Sequence, residues 1–337
     1  MIKKQEKTVT FADVWLSHTE KKWEHHWLKK VLDKVNFEKF RYRFEQLYDK
    51  DNGRPAWDPI LLFKGLLLAQ WNGLSDRQLE ESIEFRIDYR KFIGLEWGQE
   101  APDATTFSVF RERITPIMDK LLRILNKQLE EAGFKIEATV AVDATLVEAH
   151  SKPRGEDFAG DTEASWRGFP ARTIIDAGGN KVLARRPALY GYKVNVGSSV
   201  GTGFISDLSV CKASEHEVHH LEELLKGKGT KAVYADKGYC GRKKRIRALG
   251  IKDFIQDKAA RNRPLTASQI KRNKSISSLR VISESNFGGF KLWYGWEKTK
   301  YVGLVKNTLA AVISAVCWNI KKWAVRYDYV KSAFSSA

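Results

Sequence analysis

The chain has 337 residues, with 58 lysines and arginines against 41 aspartates and glutamates and a formal net charge of +17. This length suits two domains, or one domain with a helical attachment. The charge recurs along the chain, which favours nucleic acid as the partner over a merely soluble basic protein. Cys211, Cys240 and Cys317 are odd in number and lack metal-type spacing, so they support neither a disulfide framework nor a zinc site.

Neither a leader nor a membrane span is expected. Residues 1–6 contain no apolar core of the kind that a signal peptide needs. The longest apolar stretch, Leu309 to Trp318, is too short to cross a bilayer. Both observations, together with the cysteine usage, predict a cytoplasmic protein.

The front of the chain is predicted to be helical from Trp57 to Leu129. A first helix stops at Asn72-Gly73, and Ser75 with Gln78 is typical of a capping box that opens a second. Short helices joined by a glycine-containing turn form either a DNA-binding helix-turn-helix or a plain bundle. Periodicity alone leaves both possibilities open.

A longer helix is predicted to begin at Asp103 or Thr105 and to end before Gly133. Its apolar residues recur every three or four positions and form one core-facing stripe. With the preceding helices it defines an all-helical N-terminal domain, residues 1–134, for DNA binding or dimerisation.

After Gly133 the period changes to that of strands, over 138–147, 173–175, 190–196, 232–235 and 253–256. Helices are predicted after the capping box at Ser214, over 241–249, and from Leu304 to Arg326, while the basic segment 258–274 is predicted to be a loop. The order of elements predicts an α/β domain, residues 135–337, with a mixed sheet flanked by helices.

Three carboxylates stand out in this second half. Apolar runs lead directly into Asp143 and Asp236, and Glu284 follows downstream. Carboxylates at strand ends can converge on hard cations, and two Mg²⁺ ions can activate an attacking oxygen and stabilise a leaving oxygen in phosphodiester chemistry. With the basic charge, this combination predicts metal-dependent chemistry on DNA.

The third carboxylate belongs to a spaced motif. Arg280, Glu284 and Lys291 are four and seven residues apart, so on a helix they share one face and place a carboxylate between two cations. This arrangement suits a metal ligand flanked by phosphate contacts. Gly288 and Gly289 fall inside the span and could either interrupt the helix or allow close approach of DNA or backbone.

Other polar and aromatic residues are weaker candidates. His216, His219 and His220 could form a metal cluster, but a solvated helix face accounts for them as well. Trp293 and Trp296 could stack on an unpaired base, with core packing as the alternative. The remaining candidates for phosphate contacts, near the predicted strands, are Lys193 and Lys237.

Several motifs together resemble the DDE transposases of bacterial insertion sequences. They are the ordered Asp143, Asp236 and Glu284, the Asp-Lys-Gly-Tyr at 236–239, the Leu-Tyr-Gly-Tyr-Lys at 189–193 and the Arg-x3-Glu-x6-Lys at 280–291. The resemblance is greatest to the insertion-sequence-five family, which is related to the insertion-sequence-four group. It extends upstream to Trp57 and downstream to Leu304, and so covers most of the chain.

The resemblance implies a ribonuclease H-like catalytic domain with the triad at Asp143, Asp236 and Glu284. It also implies two Mg²⁺ ions, with Mn²⁺ able to substitute, and cut-and-paste movement of an element with terminal inverted repeats in double-stranded DNA. A homodimer or larger synaptic complex near the bacterial nucleoid would follow. One position departs from the pattern: related transposases often have tyrosine three positions before the arginine, where this chain has Ser277. A structure-specific nuclease on the same fold and a domesticated, inactive DNA-binding protein remain the alternatives.

Overall fold

The computed structural model describes residues 19–49, 55–96, 98–136, 138–155, 158, 160–175, 178–184, 186–225 and 229–326. Residues 1–6, on which the expectation of no signal peptide depends, lie outside these ranges. The N-terminal region is helical, as predicted. After helical residues 19–24 come α1 (Trp27–Lys34), α2 (Glu38–Glu45), α3 (Pro59–Asn72), α4 (Asp76–Phe85), α5 (Ile87–Ile93), α6 (Ala104–Ile114) and α7 (Met118–Glu131).

Helix α3 is the centre of this helical region. Asp58 caps its first turn, Pro59 occupies a position where a missing N–H costs nothing, and Gly73 ends it in the left-handed conformation at φ 68°. Ten of its residues are buried, around the whole circumference of the helix. A helix enclosed in this way cannot enter a DNA groove, so for α3 the structure favours a bundle over a recognition helix.

The long helix predicted from Asp103 or Thr105 is in fact two helices. Asp103 caps α6, whose regular turns end at Ile114, and a 3₁₀ turn at Thr115–Ile117 precedes α7. Pro116 lies in that turn. Because proline lacks an N–H and its ring collides with the carbonyl four residues earlier, it breaks the helix that the apolar spacing alone would continue.

The second half contains a mixed sheet of six strands. The strands are β1 (Thr139–Glu148), β2 (Ser165–Arg167), β5 (Leu189–Ser199), β6 (Ile205–Lys212), β7 (Ala232–Ala235) and β8 (Lys252–Ile255), and a separate hairpin is made by β3 (Arg172–Ile175) and β4 (Lys181–Ala184). Strand β5 is antiparallel to β1 and to β6, β7 and β8 run parallel to β1, and β2 pairs with the start of β5. This order, with helices on the sheet, is the ribonuclease H-like fold that the resemblance implied.

The helices of this half are α8 (Leu221–Leu225), α9 (Lys243–Ala248), α10 (Ala267–Tyr294) and α11 (Leu304–Lys321), which continues into a π-helical turn, Lys322–Arg326. Two predictions need correction. His216, and not Ser214, caps the short 3₁₀ turn before α8. The basic segment 258–274 is a loop only in its first part, because Thr266 and Gln269 form a capping box that starts α10 at Ala267.

Helix α11 joins the two halves of the molecule. It packs against β6 on one side and against α3 and α7 on the other, so one hydrophobic core extends from the helical region to the sheet. Buried amides fix this arrangement: Asn319 accepts a hydrogen bond from the Ile205 N–H at 2.8 Å and donates to Asn126 at 3.0 Å. Each amide would be costly to bury without these partners.

Helix α10 is unbroken at Gly288 and Gly289, and the second glycine has a packing reason. A Cβ on Gly289 would lie 2.3 Å from two ring atoms of Trp318, whereas a Cβ on Gly288 would meet nothing within 4 Å. An aromatic ring of α11, and not DNA or backbone, therefore approaches the helix at Gly289.

We expect Gly289→Ala to destabilise the fold by about 1–3 kcal/mol, because the tryptophan ring must shift within a packed core. The matched variant Gly288→Ala should instead stabilise it by about 0.5–1 kcal/mol, since alanine loses less backbone entropy in a helix. Chemical denaturation of both variants measures the difference. Equal stabilities would contradict the close approach of Trp318.

Candidate active site

Two of the predicted carboxylates lie side by side at one edge of the sheet. In the parallel ladder of β1 and β7, Ala141 pairs with Tyr234, so Asp143 and Asp236 each follow two residues later. Asp143 lies within its strand, inside the span predicted from the sequence, and not at the end of the strand. Strand β1 continues to Glu148 against β5. Strand β7 ends at Ala235, so among the described strands none pairs with β1 on that side at Asp143.

Asp143 is held by the backbone and by helix α10. Its Oδ1 accepts a hydrogen bond from the Ala144 N–H at 2.9 Å, and its Oδ2 accepts one from Nη2 of Arg280 at 2.9 Å. Burial raises the pKa of the Asp143 carboxyl, and the nearby charge of Asp236 raises it further, against the opposing effects of Arg280 and the Ala144 N–H. The ionised form of Asp143 is therefore under-solvated.

Asp236 is oriented by the turn that follows it. Its Oδ1 accepts a hydrogen bond from the Gly238 N–H at 2.7 Å, and this contact starts the 3₁₀ turn Lys237–Arg242. The Asp-Lys-Gly-Tyr motif thus has a local role. It holds the carboxylate at the end of β7 and turns the chain so that Tyr239 points back into the protein.

Two further residues complete this site: Glu217, which sequence reasoning missed, and Tyr239, the last residue of the Asp-Lys-Gly-Tyr motif. A Cβ on Gly238 would lie 2.9 Å from Asp236 Oδ1 and 3.4 Å from Glu217 Oε1, so the Glu217 and Asp236 carboxylates flank the same glycine. Tyr239 is 1% exposed, and its hydroxyl has no hydrogen-bond partner within the described residues. Burial raises the pKa of this hydroxyl, and the charges of Glu217, Asp143 and Asp236 raise it further.

Lys193 lies beneath this cluster and not on the DNA-facing surface. It is 3% exposed and its Nζ donates to Glu217 Oε2 at 2.9 Å and to the Glu215 carbonyl. Burial alone would raise the pKa of the Glu217 carboxyl, but the hydrogen bond and charge of Lys193 hold it below its ordinary value. Lys193 is thus engaged by protein groups, which argues against a direct phosphate contact.

The spaced motif of helix α10 is divided between the interior and the surface. Arg280 is 9% exposed and bonds Asp143, while its Nε is buried without a hydrogen-bond partner in the described chain. Glu284 and Lys291 are exposed. Glu284 lies one helical turn beyond Arg280 and Lys291 about 10 Å further along the axis. The helix packs on β1 and β7, the two strands that carry Asp143 and Asp236.

The other predicted contact residues differ in exposure. Trp296 is 7% exposed, stacks on Phe290 with ring centroids 4.5 Å apart, and donates from Nε1 to Ser314 Oγ at 3.0 Å. It is therefore a core residue, the alternative that the sequence left open. Trp293 remains 47% exposed, with Nζ of Lys321 5.0 Å from the ring centroid. Lys237 is exposed beside Asp236.

Basic residues border the site where β8 ends. Strand β8 is parallel to β7, so the segment that follows it leaves from the same edge of the sheet as Asp143 and Asp236. Exposed cations on this segment and on the first turns of α10 are Lys258, Arg261, Arg263, Lys271 and Lys274. They give the edge a surface suited to phosphates.

The donor set of this edge fits a hard divalent cation. Asp143 and Asp236 present neighbouring carboxylate oxygens, the ligands that a hard divalent cation prefers. Within the described residues, the buried Tyr239 hydroxyl and the buried Arg280 Nε have no hydrogen-bond partner. Such an edge can hold a phosphodiester near a metal.

Two family models match the chain. Residues 17–113 match a Transposase domain (DUF772), and residues 135–320, more than half of the chain, match the Transposase DDE domain. The transposase for insertion sequence element IS1106 of Neisseria meningitidis serogroup B is 34% identical over 224 residues, which are 64% of this chain and 76% of that protein.

Solved structures of lower similarity include other transposases. A piggyBac transposase synaptic complex with hairpin DNA matches with a TM-score of 0.41 and 11% identity, over 91% of this chain and 75% of that one. The Mos1 mariner paired end complex with Mn matches with a TM-score of 0.19 and 14% identity, over 94% of this chain and 93% of that one. No helix among the described residues is both long and apolar enough to cross a membrane.

The motifs, the ribonuclease H-like sheet, the match to the DDE domain model and the related transposase agree with one another. Transposases with this domain cleave and join DNA and depend on divalent metal. This chain belongs to the DDE transposases of bacterial insertion sequences, and it is a DNA transposase.

Proposed function

We propose that the chain moves its element by cut and paste, within the insertion-sequence-five family, and that Asp143, Asp236 and Glu284 form the catalytic triad. The observation that supports this most directly is the placement of Asp143 and Asp236 at one sheet edge beneath helix α10. Two Mg²⁺ ions, or Mn²⁺ in their place, would be held by these three carboxylates. When bound, they would activate the attacking oxygen and stabilise the leaving oxygen.

The reaction has two steps at each element end. Water attacks the phosphorus at the end of the terminal inverted repeat, the bond to the 3′-oxygen breaks, and a 3′-OH is released. That 3′-OH then attacks a phosphorus of the target DNA, and a target 3′-oxygen leaves. One set of residues serves both steps because both exchange one oxygen for another on a phosphodiester.

The remaining residues balance the charge of the carboxylates or contact the DNA. We assign Arg280 to charge balance at Asp143, to which its Nη2 donates a hydrogen bond. Lys291, Lys237 and the exposed cations of 258–274 would contact the DNA backbone, and Trp293 would be available to a displaced base. The helical region, about residues 1–134, would bind DNA or dimerise, since both element ends must be processed together in a homodimer or larger complex.

DNA flanking the gene provides the test. A labelled duplex carrying the candidate inverted repeat should be cut at the repeat boundary in Mg²⁺ and then joined to a supercoiled target plasmid. Cutting without joining would indicate a structure-specific nuclease, and binding without cutting a domesticated DNA-binding protein. Either result would overturn the proposed function, and a scrambled repeat is the matched control.

A further inference from the structure

A second group of metal-binding side chains lies apart from the carboxylate edge. Atoms from Cys211, at the end of β6, and from Glu215 and His220, in the segment that follows, all lie within 4.8 Å of one another. His220 Nε2 and Glu215 Oε2 lie 3.3 Å apart. Cys211 is buried, Glu215 is exposed and His220 is intermediate, so the group opens to solvent on one side.

We propose that Cys211, Glu215 and His220 bind one Zn²⁺ ion. A tetrahedral zinc with ligand bonds of about 2.0–2.3 Å separates neighbouring ligand atoms by about 3.3–3.7 Å. The His220 to Glu215 distance already matches this spacing. Thiolate, imidazole and carboxylate together select a borderline-soft cation, in contrast to the all-oxygen edge at Asp143. Water would complete the fourth position.

Two neighbouring side chains, Asn195 and Glu223, contact the proposed ligands and orient them. Asn195 is 0% exposed and donates from Nδ2 toward Cys211 Sγ at 3.6 Å, a contact that orients the sulfur. Glu223 Oε2 lies 3.6 Å from Nδ1 of His220, the ring nitrogen that does not face Glu215. A carboxylate behind a ligating imidazole fixes its orientation and strengthens it as a ligand.

The cysteine spacing gave no indication of this site. Its ligands are of three types, separated by four and five residues along the turn after β6. The turn also carries Glu217, which flanks Gly238 beside Asp236. Zinc would therefore fasten the segment that brings Glu217 to the active edge, and the proposal does not depend on the transposition chemistry.

Cobalt provides a spectroscopic test on the full-length chain. After treatment with a chelator, the protein is titrated with Co²⁺ in excess Mg²⁺, which occupies carboxylate sites. One equivalent should produce the near-ultraviolet charge-transfer band of a Co²⁺–thiolate bond, together with tetrahedral visible bands, and Zn²⁺ should abolish both. Cobalt bound by carboxylates alone cannot produce this band.

Variants distinguish the ligands from their neighbours. Cys211→Ser should lose the charge-transfer band, whereas Cys240→Ser should keep it. His220→Gln should weaken Co²⁺ binding by more than about 10-fold, and Glu223→Gln by about 10-fold, while His219→Gln should leave it unchanged. Circular dichroism confirms folding of each variant. The absence of a thiolate band from the parent, or its persistence in Cys211→Ser, would overturn the proposal.

Discussion

Asp143→Asn should lower the rate of cleavage at an element end by about 10³-fold or more, because a lost metal ligand removes about 4 kcal/mol of transition-state stabilisation. The amide is nearly isosteric but is a poor ligand for Mg²⁺. Its oxygen can still accept the hydrogen bond from the Ala144 N–H, so the local backbone contact is preserved. Single-turnover cleavage of a labelled repeat in Mg²⁺ measures this loss.

Asp236→Asn and Glu284→Gln should behave alike, with DNA binding in Ca²⁺ close to that of the parent. The contrast is Lys291→Ala, which removes an exposed cation from the same helix as Glu284. It should weaken binding of the element end and slow cutting, without rescue by added Mg²⁺, since the missing group is not a metal ligand. Near-parent cleavage by an amide variant would remove that residue from the triad.

Lys193→Met should cost about 2–3 kcal/mol of stability, which lowers the melting temperature by roughly 3–4 °C in a chain of this size. The substitution leaves the half-buried Glu217 carboxylate without its cation. We place the cost below that of a fully buried pair, because the Glu217 side chain is 23% exposed and can recruit water. Thermal unfolding of the parent and the variant without DNA measures this loss of stability, so that phosphate contacts play no part.

The double variant Lys193→Met with Glu217→Gln separates an internal role from a DNA-binding one. Removal of both charges should recover part of the lost stability, because the unpaired carboxylate is gone. Lys237→Ala, at an exposed lysine beside Asp236, should leave stability unchanged. If Lys193→Met were as stable as the parent but bound the element end less tightly, the internal role would be refuted.

The sequence by itself determined the family and most of the local elements. The capping box of Ser75 and Gln78 predicted where α4 begins, because its hydrogen bonds join residues only three apart. The exact span of strand β7 was predicted, since its apolar run is bounded by Asp236. Errors arose where one residue overrides a periodic pattern: Pro116 divides a helix, and Thr266 starts α10 inside a basic segment predicted as loop.

Tertiary structure alone decided which residues meet at the site. Asp143 and Asp236 were singled out from their local pattern, and Tyr239 follows Asp236 in the same turn. Glu217 reaches this edge only because β6, which precedes its segment, pairs with β5, and β5 pairs with β1. Lys193 has the sequence appearance of a surface lysine in an alternating strand. Strand β5 is buried on both faces, so Lys193 pairs with a carboxylate inside the protein. Burial and charge pairing depend on contacts distant in sequence, and no local spacing encodes them.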